Sequence, residues 1–515
     1  MKELDNAFLK GIKNETNETL TENGAIAYKT TNSALLDLFA VIGALRSRPS
    51  QEIIDKFTKA FAEDKLLAMK MLFYARNIRG GLGERKTFRI LIKYMATYHT
   101  EIMEKNLELI PIFGRWDDLY ELVDTPLEDT MFNLISIQLK NDLANLGKNK
   151  QISLLAKWLK SAKWSKSVSR VSIKNAKLGR LTAKKLNLSY KQYRQILSKL
   201  REQLNIVERN MSKDEWDKIV YREVPSLAMK KYRDAFKEHN LVEFKKYIEK
   251  VKKGEEKIKA DTLYPYNIME AANLDSQGWS GNYKLEKWDE VLEEQWKALP
   301  NYVEGENNIL IMADTSGSME GRPVCTSIGL AIYFAERNKG PWHNQFLTFA
   351  SKPSFIELKG TNLAEKVRCI PNICDNTNIE AAFNLVLDVA IKNNLSQEEL
   401  PKAIVIISDM EFDEATGEYC WTIDQKERLV AENNKIMDKI AYNFQQAGYT
   451  IPKVIYWNAN SRQDTYHAIS ENKNVAMVSG QSVSTFKTVL MSIDEKPYDV
   501  MLKTLNDPIY DVVRI

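Results

Sequence analysis

The spacing of apolar residues divides the chain into two parts. Up to about residue 300, apolar positions recur every three or four residues, with short breaks and few β-branched runs, as in amphipathic helices. Helices are predicted at Ser33–Leu45, Ser50–Phe61, Leu66–Ala75, Glu84–Tyr98 and Leu127–Leu143. Residues 1–300 are therefore predicted to form an all-α domain. The helices are too numerous for one bundle core, which favours HEAT-type helical repeats.

Short motifs predict where several of these helices begin. Ser189 and Ser212 are each followed three residues later by Gln or Glu, the form of a capping box. Pro225 and Ser226 directly precede another helical pattern, as expected for a helix start.

Beyond about residue 300, short apolar runs alternate with helical patterns. Strands are predicted at Asn308–Asp314, Phe346–Ser351, Ser354–Leu358, Ala403–Asp409, Pro452–Trp457 and Val475–Val478. Helices are predicted at Val324–Arg337, Leu363–Ile370, Ile379–Ile391, Glu427–Gln446 and Ser482–Met491. This alternation predicts a doubly wound, mainly parallel α/β sheet over residues 301–495. Residues 273–306 are the expected linker, and residues 496–515 are expected to pack back on either domain.

Oxygen-bearing side chains follow the ends of two predicted strands. Asp314 ends the first strand, and Ser316 and Ser318 follow it in the spacing D-x-S-x-S. Thr377 lies just before a predicted helix, and Asp409 ends the fourth strand. The carboxyl ends of parallel strands meet at one edge of a sheet, where ligands bind. Carboxylates and hydroxyls are hard oxygen donors, so the sequence predicts a site for Mg²⁺ or Mn²⁺.

These five residues, in this order, resemble the metal-ion-dependent adhesion site of the von Willebrand factor A domain family over roughly residues 303–495. The resemblance implies that the serines and the threonine touch the ion and that the aspartates hold it directly or through water. It also implies that an acidic oxygen of a protein partner completes the coordination. Two positions depart from the family pattern: Asn378 stands where the family has Asp, and Met410 where it has Gly.

A strongly basic span lies within the helical part. No acidic residue occurs between Asp142 and Glu202, whereas sixteen lysines and arginines do, with four aromatic residues among them. Such a span is typical of a surface that contacts a phosphate backbone, and the alternative is a set of solvated helix faces. The candidates for RNA contact are Lys157, Lys160, Lys163, Lys166, Arg170, Lys174, Lys177, Arg180, Lys184 and Lys185, with Arg76, Arg79, Arg85 and Lys86 in an earlier turn.

Three phrases, Phe73–Arg85, Leu109–Leu119 and Ser153–Leu159, together with the A-domain motif, resemble the TROVE architecture of the Ro RNA-binding protein family, and most closely a divergent branch found in phages, bacteria and plants. The resemblance implies a ring of helical repeats closed by the A domain. It also implies that single-stranded RNA ends enter the central hole and that structured small noncoding RNA binds the outer surface.

Several enzyme classes are disfavoured by the sequence. Asp314-Thr-Ser-Gly has no second copy, which an aspartic protease needs, and Arg85 stands where a phosphate loop needs its second Gly. The four histidines are scattered, and the four cysteines lack paired spacing. Without a signal-peptide pattern or a long apolar run, a cytoplasmic protein is expected.

We expect a non-enzymatic RNA-binding protein with a divalent-metal site for a partner. The alternative is a metal-dependent protein-interaction module, an adaptor to an ATPase or a phage protein, that binds no RNA. A metal-dependent nuclease, in which Glu411 and Asp413 add carboxylates near Asp409, is the third and weakest interpretation.

Overall fold

Contacts within the chain define two units in this computed structural model. The first combines the chain up to Asp64 with Leu263–Asp507, and the second combines Lys65–Thr262 with Pro508–Ile515. The structure describes residues 17–148, 150–163, 169–274, 281–303, 308–349, 352–372, 377–412, 436–483 and 495–515.

The helices are α1 (Ala34–Val41), α2 (Ser50–Glu63), α3 (Lys65–Arg76), α4 (Lys86–Tyr98), α5 (Thr100–Lys105), α6 (Leu109–Phe113), α7 (Glu128–Asn145), α8 (Leu155–Trp158), α9 (Arg170–Lys185), α10 (Tyr190–Gln203), α11 (Val207–Ser212), α12 (Ser226–His239), α13 (Leu241–Lys252), α14 (Pro265–Ala271), α15 (Glu290–Lys297), α16 (Arg322–Arg337), α17 (Leu363–Val367), α18 (Ile379–Lys392), α19 (Ile436–Gln446) and α20 (Pro497–Leu505). The strands are β1 (Glu18–Leu20), β2 (Ile26–Tyr28), β3 (Ile309–Asp314), β4 (Gln345–Phe349), β5 (Phe355–Glu357), β6 (Ala403–Ser408), β7 (Lys453–Asn458) and β8 (Val475–Ser479).

The first unit is built on a six-stranded sheet in the order β5-β4-β3-β6-β7-β8. All neighbours are parallel except β5, which runs antiparallel to β4 at the edge. Every residue of β3 and β6 is buried, as expected for central strands covered on both faces. The structure thus confirms a helical N-terminal part followed by an α/β part, and each predicted strand lies within two residues of its observed bounds.

The register of the sheet places the polar strand ends side by side. Ala313 of β3 pairs with Ile407 of β6, so Asp314 and Ser408 follow at the same edge. Helix α16 packs on β3, β4 and β6, and α14 packs on α16. Gly329 permits this second contact, because a Cβ there would lie 3.1 Å from the Pro265 side chain.

The two units differ from the predicted boundaries. The N-terminal hairpin bridges to the sheet region through Tyr28 and Tyr466, and the Gly43 amide donates to Ser479 Oγ at 3.0 Å. The expected linker is also engaged, since the Tyr283 amide donates to the Ile370 carbonyl at 2.9 Å. Periodicity identifies amphipathic helices but does not show which core their apolar faces join.

The second unit is helical within its described residues. Its predicted starts at Ser189, which forms a capping box, and at Pro225 are confirmed. The predicted start at Ser212 is wrong, because Ser212 ends α11 and its hydroxyl donates back to the Glu208 carbonyl at 2.6 Å. The last residues of the chain pack on this unit, where Asn77 Nδ2 donates to Tyr510 Oη at 3.0 Å.

Among the described residues, no helix combines the length and the apolar character that a membrane span requires. The predicted helix at Ser482–Met491 and the first part of the one at Glu427–Gln446 lie largely outside the described residues.

Candidate functional site

The carboxyl edge of the sheet gathers four of the predicted metal ligands. Asp314 is 1% exposed, and both of its carboxylate oxygens are oriented by the protein. Oδ1 accepts from the Ser316 amide at 2.9 Å, and Oδ2 accepts from Ser408 Oγ at 2.6 Å. The hydroxyl oxygens of Ser316 and Ser318 lie 3.0 Å apart. The D-x-S-x-S motif therefore turns sharply after β3, as its spacing predicts.

Asp409 follows β6 at the same edge and is 2% exposed. Its Oδ1 accepts from the Glu411 amide at 3.2 Å, whereas within the described residues its buried Oδ2 accepts no hydrogen bond. Arg462 Nε lies 3.2 Å from that Oδ2, and Arg462 also pairs with Glu22 at 2.6 Å. One guanidinium thus neutralises part of the charge at this edge.

The charge of Asp409 opposes the ionisation of Asp314. Burial, and then the negative charge of Asp409, raise the pKa of Asp314. Two buried carboxylates beside serine hydroxyls form an oxygen-donor set, in which Asp409 Oδ2 accepts no hydrogen bond within the described residues and has only the ion pair with Arg462. These residues fit Mg²⁺ or Mn²⁺ by donor type. The described residues contain no cluster of three or more His, Cys, Asp and Glu placed to hold a metal.

Thr377 is buried and lies next to the segment after β6. Its hydroxyl donates to the Glu411 carbonyl at 3.5 Å. Asn378 caps α18, because its side chain accepts from the Ala381 amide at 2.9 Å. Capping gives a structural role to an amide at the position where the A-domain family has Asp.

Glu411, which the sequence places near Asp409, and Arg462, whose placement the sequence did not predict, are neighbours of this edge. The Glu411 carboxylate accepts from the Glu22 amide at 2.7 Å and from Thr465 Oγ1 at 3.2 Å. The Glu411 carboxylate therefore attaches the N-terminal hairpin to the edge. Asp413 lies outside the described residues. Arg462 stands 53 residues after Asp409, and no local pattern connects the two.

In the second unit, the earlier basic turn is largely neutralised by two buried aspartates. Arg76 is 2% exposed and pairs with Asp118 at 2.8 Å, so its buried side chain is inaccessible to RNA, contrary to the contact that its sequence position suggests. Asp118 Oδ1 also accepts from Arg89 Nε at 2.6 Å. Arg85 is half exposed but pairs with Asp117 at 2.8 Å.

The two other candidates of this turn, Arg79 and Lys86, are exposed. Arg79 donates to the Ile112 carbonyl at 3.1 Å.

Helix α9 carries the clearest cationic surface. Four exposed cations lie on one side of it: Arg170, Lys174, Lys177 and Lys184. At 3.6 residues per turn they fall within an arc of about 80° and span about 21 Å. Four buried residues occupy the opposite side: Ala176, Gly179, Thr182 and Ala183. We call the four cations the α9 stripe, and within the described residues none of them pairs with a carboxylate.

The segment with Lys157, Lys160 and Lys163 is held against this helix. Gly179 of α9 approaches it so closely that a Cβ would lie 2.4 Å from the Ser161 carbonyl oxygen. Tyr193 of α10 donates to the Lys160 carbonyl at 2.9 Å. The basic segment therefore packs on the side of α9 opposite the stripe, and Lys166 lies outside the described residues.

Three other candidates of the basic span have partners in the protein. Lys160 pairs with Asp117 at 3.2 Å, and Lys185 pairs with Glu128 at 2.7 Å. Arg180 lies over the Tyr190 ring at 5.5 Å. The two ion pairs lower the availability of Lys160 and Lys185 for phosphate.

The fold and the two sites define a class of protein that combines a basic helical unit with an α/β unit whose sheet edge is acidic. The chain belongs to the family described as Domain of unknown function (DUF2828), whose model matches residues 21–136 and 126–308. A second model, Domain of unknown function (DUF7788), matches residues 308–506. Neither is described as a TROVE or von Willebrand factor A domain.

One relative extends over nearly the whole chain. "Uncharacterized protein L728" of Acanthamoeba polyphaga mimivirus is 30% identical over 547 residues, covering 97% of this chain and 89% of the relative. Among solved structures, the chain is similar to the Ro (RSR) protein of Deinococcus radiodurans, with 12% identity, 92% of each chain covered and a TM-score of 0.33. That score is too low to support an argument about fold or function.

Proposed function

We propose that this protein binds RNA, holding single-stranded ends and structured small noncoding RNA on the basic region of its helical unit, without catalysing a reaction. The observation that carries the proposal is the α9 stripe, four exposed cations on one side of a helix that have no carboxylate partner among the described residues. A strand of phosphates gains most from cations that the protein has not already neutralised. Their span of about 21 Å suits several successive phosphates.

RNA is proposed, instead of nucleic acid in general, because the three N-terminal phrases resemble the Ro family. HEAT-type repeats arranged as a ring belong to the same proposal. Aromatic side chains within the basic span, such as the exposed Tyr190, would supply stacking surfaces for unpaired bases.

The test is RNA affinity as a function of salt. A hairpin RNA with a single-stranded tail is titrated with the full chain and with a variant in which Lys174, Lys177 and Lys184 are each replaced by Glu. We expect the variant to bind at least about 100-fold more weakly at low salt. The slope of log affinity against log salt should fall by about 2, since each lost phosphate contact removes about 0.7 for a single strand.

A matched control carries the same charge change elsewhere on the helical unit. Lys245, Lys250 and Lys253 are exposed on or just after α13, and replacing them by Glu should leave RNA affinity within about threefold of the unmodified protein. Affinity of the unmodified chain that does not change with salt would contradict the proposal. Equal losses in the two triple variants would show that net charge, and not the α9 stripe, governs binding.

The acidic edge of the sheet favours a second function, the metal-dependent capture of a protein partner, by an adaptor to an ATPase or a phage protein. Asp314, Ser316, Ser318, Thr377 and Asp409 would hold Mg²⁺ or Mn²⁺, and an acidic side chain of the partner would complete the coordination. In the alternative form of this hypothesis the protein binds no RNA. Asp314→Ala separates the two functions, because it should abolish metal binding and leave RNA affinity unchanged.

The readout for the metal is thermal unfolding. Mg²⁺ at 100 times its dissociation constant should stabilise the protein by about 2.7 kcal/mol. Ser316→Ala should reduce this effect, whereas Ser354→Ala, a serine at the antiparallel edge of the sheet, should not. No stabilisation by either Mg²⁺ or Mn²⁺ would exclude the metal site.

A further inference from the structure

Arg115 occupies an unusual position in the second unit. Its guanidinium lies 4.6 Å from the centre of the Trp158 ring, and Lys157 Nζ lies 5.7 Å from the same centre. Within the described residues, neither cation has a carboxylate within ion-pair distance. Both side chains are half-buried. Stacking on an indole fixes the plane of a guanidinium and leaves its edges available as paired donors.

The nearby carboxylates are already occupied by other cations. Asp118 accepts from the Arg76 and Arg89 side chains, and its remaining contact with Arg115 is to the main chain, where the Arg115 amide donates at 3.0 Å. Asp117 Oδ2 lies 2.8 Å from Arg85 and 3.2 Å from Lys160. The fold thus fixes the backbone of Arg115 through Asp118, while among the described residues no carboxylate lies within ion-pair distance of its guanidinium.

The side chains clustered around Arg115 carry a net positive charge. Six cations meet here, namely Arg76, Arg85, Arg89, Arg115, Lys157 and Lys160, with three acids, namely Asp117, Asp118 and Glu121. The consequence is visible at Arg115, where burial and then the charges of Arg76 and Arg85 lower the pKa of the guanidinium. An anion bound here would relieve this repulsion.

The site belongs to the same helical unit as the proposed RNA surface. Trp158 and Lys157 end α8, and the segment that follows them packs against Gly179, on the side of α9 opposite the stripe. A phosphodiester inside an RNA strand carries one negative charge, whereas a terminal phosphate carries between −1.5 and about −2 and presents three acceptor oxygens.

We propose that Arg115, stacked on Trp158 and flanked by Lys157, binds the terminal phosphate of an RNA strand. The inference rests on the proposed function, because the same helical unit must hold the rest of the strand. The planar guanidinium of Arg115 would orient the phosphate through paired hydrogen bonds, and Lys157 would add a second positive charge. The α9 stripe supplies affinity that does not depend on the end of the strand.

The experiment compares three fluorescent RNA strands of one sequence, carrying hydroxyls at both ends, a 5′-phosphate or a 3′-phosphate. We expect the full chain to bind one of the phosphorylated strands at least about tenfold more tightly than the unphosphorylated strand. The end that confers this preference identifies the direction of the strand. Arg115→Gln should abolish the preference while keeping the affinity for the unphosphorylated strand within about threefold.

Three further variants test whether positive charge alone, or the planar shape of the Arg115 guanidinium, produces the preference for a phosphorylated end. Arg115→Lys should lose most of the preference, because it keeps the charge without the planar paired donors. Lys157→Gln should reduce it, and thermal unfolding verifies that each variant is folded. Arg222→Gln, which removes an exposed arginine of the same unit that is not among the RNA candidates, should leave the preference unchanged.

Equal affinity for all three strands, or a preference that survives in Arg115→Gln, would overturn this inference and leave the proposed function intact. Failure to bind any strand would overturn the proposed function and this inference together.

Discussion

Each unit contains a buried pair of carboxylates, and nearby cations compensate the negative charge of the two pairs to different degrees. Asp117 and Asp118 of the helical unit are 3% and 0% exposed and face four cations. Asp314 and Asp409 of the sheet unit are 1% and 2% exposed, and one guanidinium, that of Arg462, faces Asp409.

Their pKa values show the difference. Burial acts to raise the pKa of Asp117, but the charges of Arg89, Lys160 and Arg85 outweigh it, so the pKa is lowered. At the sheet edge, burial and the charge of Asp409 both act to raise the pKa of Asp314. The first pair is therefore part of the framework of the helical unit. The second pair is under-compensated, and a bound cation would stabilise it.

The largest expected effect is that of Asp118→Asn. The substitution leaves Arg76, which is 2% exposed, without the carboxylate that its guanidinium contacts at 2.8 Å. Removing one partner of a buried ion pair typically costs about 3–5 kcal/mol. Urea unfolding of the full chain should show a loss of this size in the transition of the helical unit.

The matched variant in the other unit is Asp409→Asn. It removes repulsion with Asp314 and loses the partly exposed pair with Arg462, so stability should change by about 1 kcal/mol or less. A loss as large as that of Asp118→Asn would mean that the two pairs are equivalent and that the comparison is mistaken.

A smaller effect is expected from a buried base beside the same sheet edge. His467 Nε2 donates to the Met410 carbonyl at 2.8 Å, and burial lowers its pKa from 6.5 to about 4. Burial favours the neutral form of His467. The stability that this neutral imidazole contributes is therefore fully present above pH 6.5 and is lost as the pH falls toward 4. The total loss of unfolding free energy across this pH range is about 3 kcal/mol.

The measurement is the difference in unfolding free energy between the unmodified protein and His467→Gln. The raised pKa values of Asp314 and Glu411 act in the opposite direction but are common to both proteins, so they cancel in this difference. The difference should be constant above pH 6.5 and should shift in favour of the variant at lower pH. A difference that is constant from pH 7 to 4 would contradict the assignment.

The comparison also explains what the sequence could and could not predict. Strand ends were predictable because β3 and β6 are buried along their whole length and read as continuous apolar runs. The grouping of Asp314, Ser316, Ser318 and Asp409 followed from those strand ends, since parallel strands deliver their carboxyl ends to one edge. The α9 stripe followed in part from the density of lysine and arginine.

Long-range partners were not predictable. Arg76 belongs to a basic turn in the sequence, yet Asp118, 42 residues later, neutralises it. Gly43 joins the sheet unit through Ser479, 436 residues away. A single sequence gives the charge of each residue but not which opposite charge lies beside it, and that neighbour decides whether a cation is structural or available to a ligand.

The prediction that most sharpens the comparison concerns Arg462→Gln. Arg462 Nε lies 3.2 Å from Asp409 Oδ2, so this guanidinium would compete with a divalent cation for the carboxylate. Arg462 is about one third exposed, which screens the interaction, and its removal should tighten Mn²⁺ or Mg²⁺ binding by about tenfold, measured by calorimetry. The matched control is Lys297→Gln, which breaks a pair with Glu294 at the opposite side of the sheet unit, near the start of β3, and should leave metal affinity unchanged. Weaker binding in Arg462→Gln would instead show that the arginine helps to position Asp409 for the metal, and the sheet edge would then be as fully organised as the aspartate pair of the helical unit.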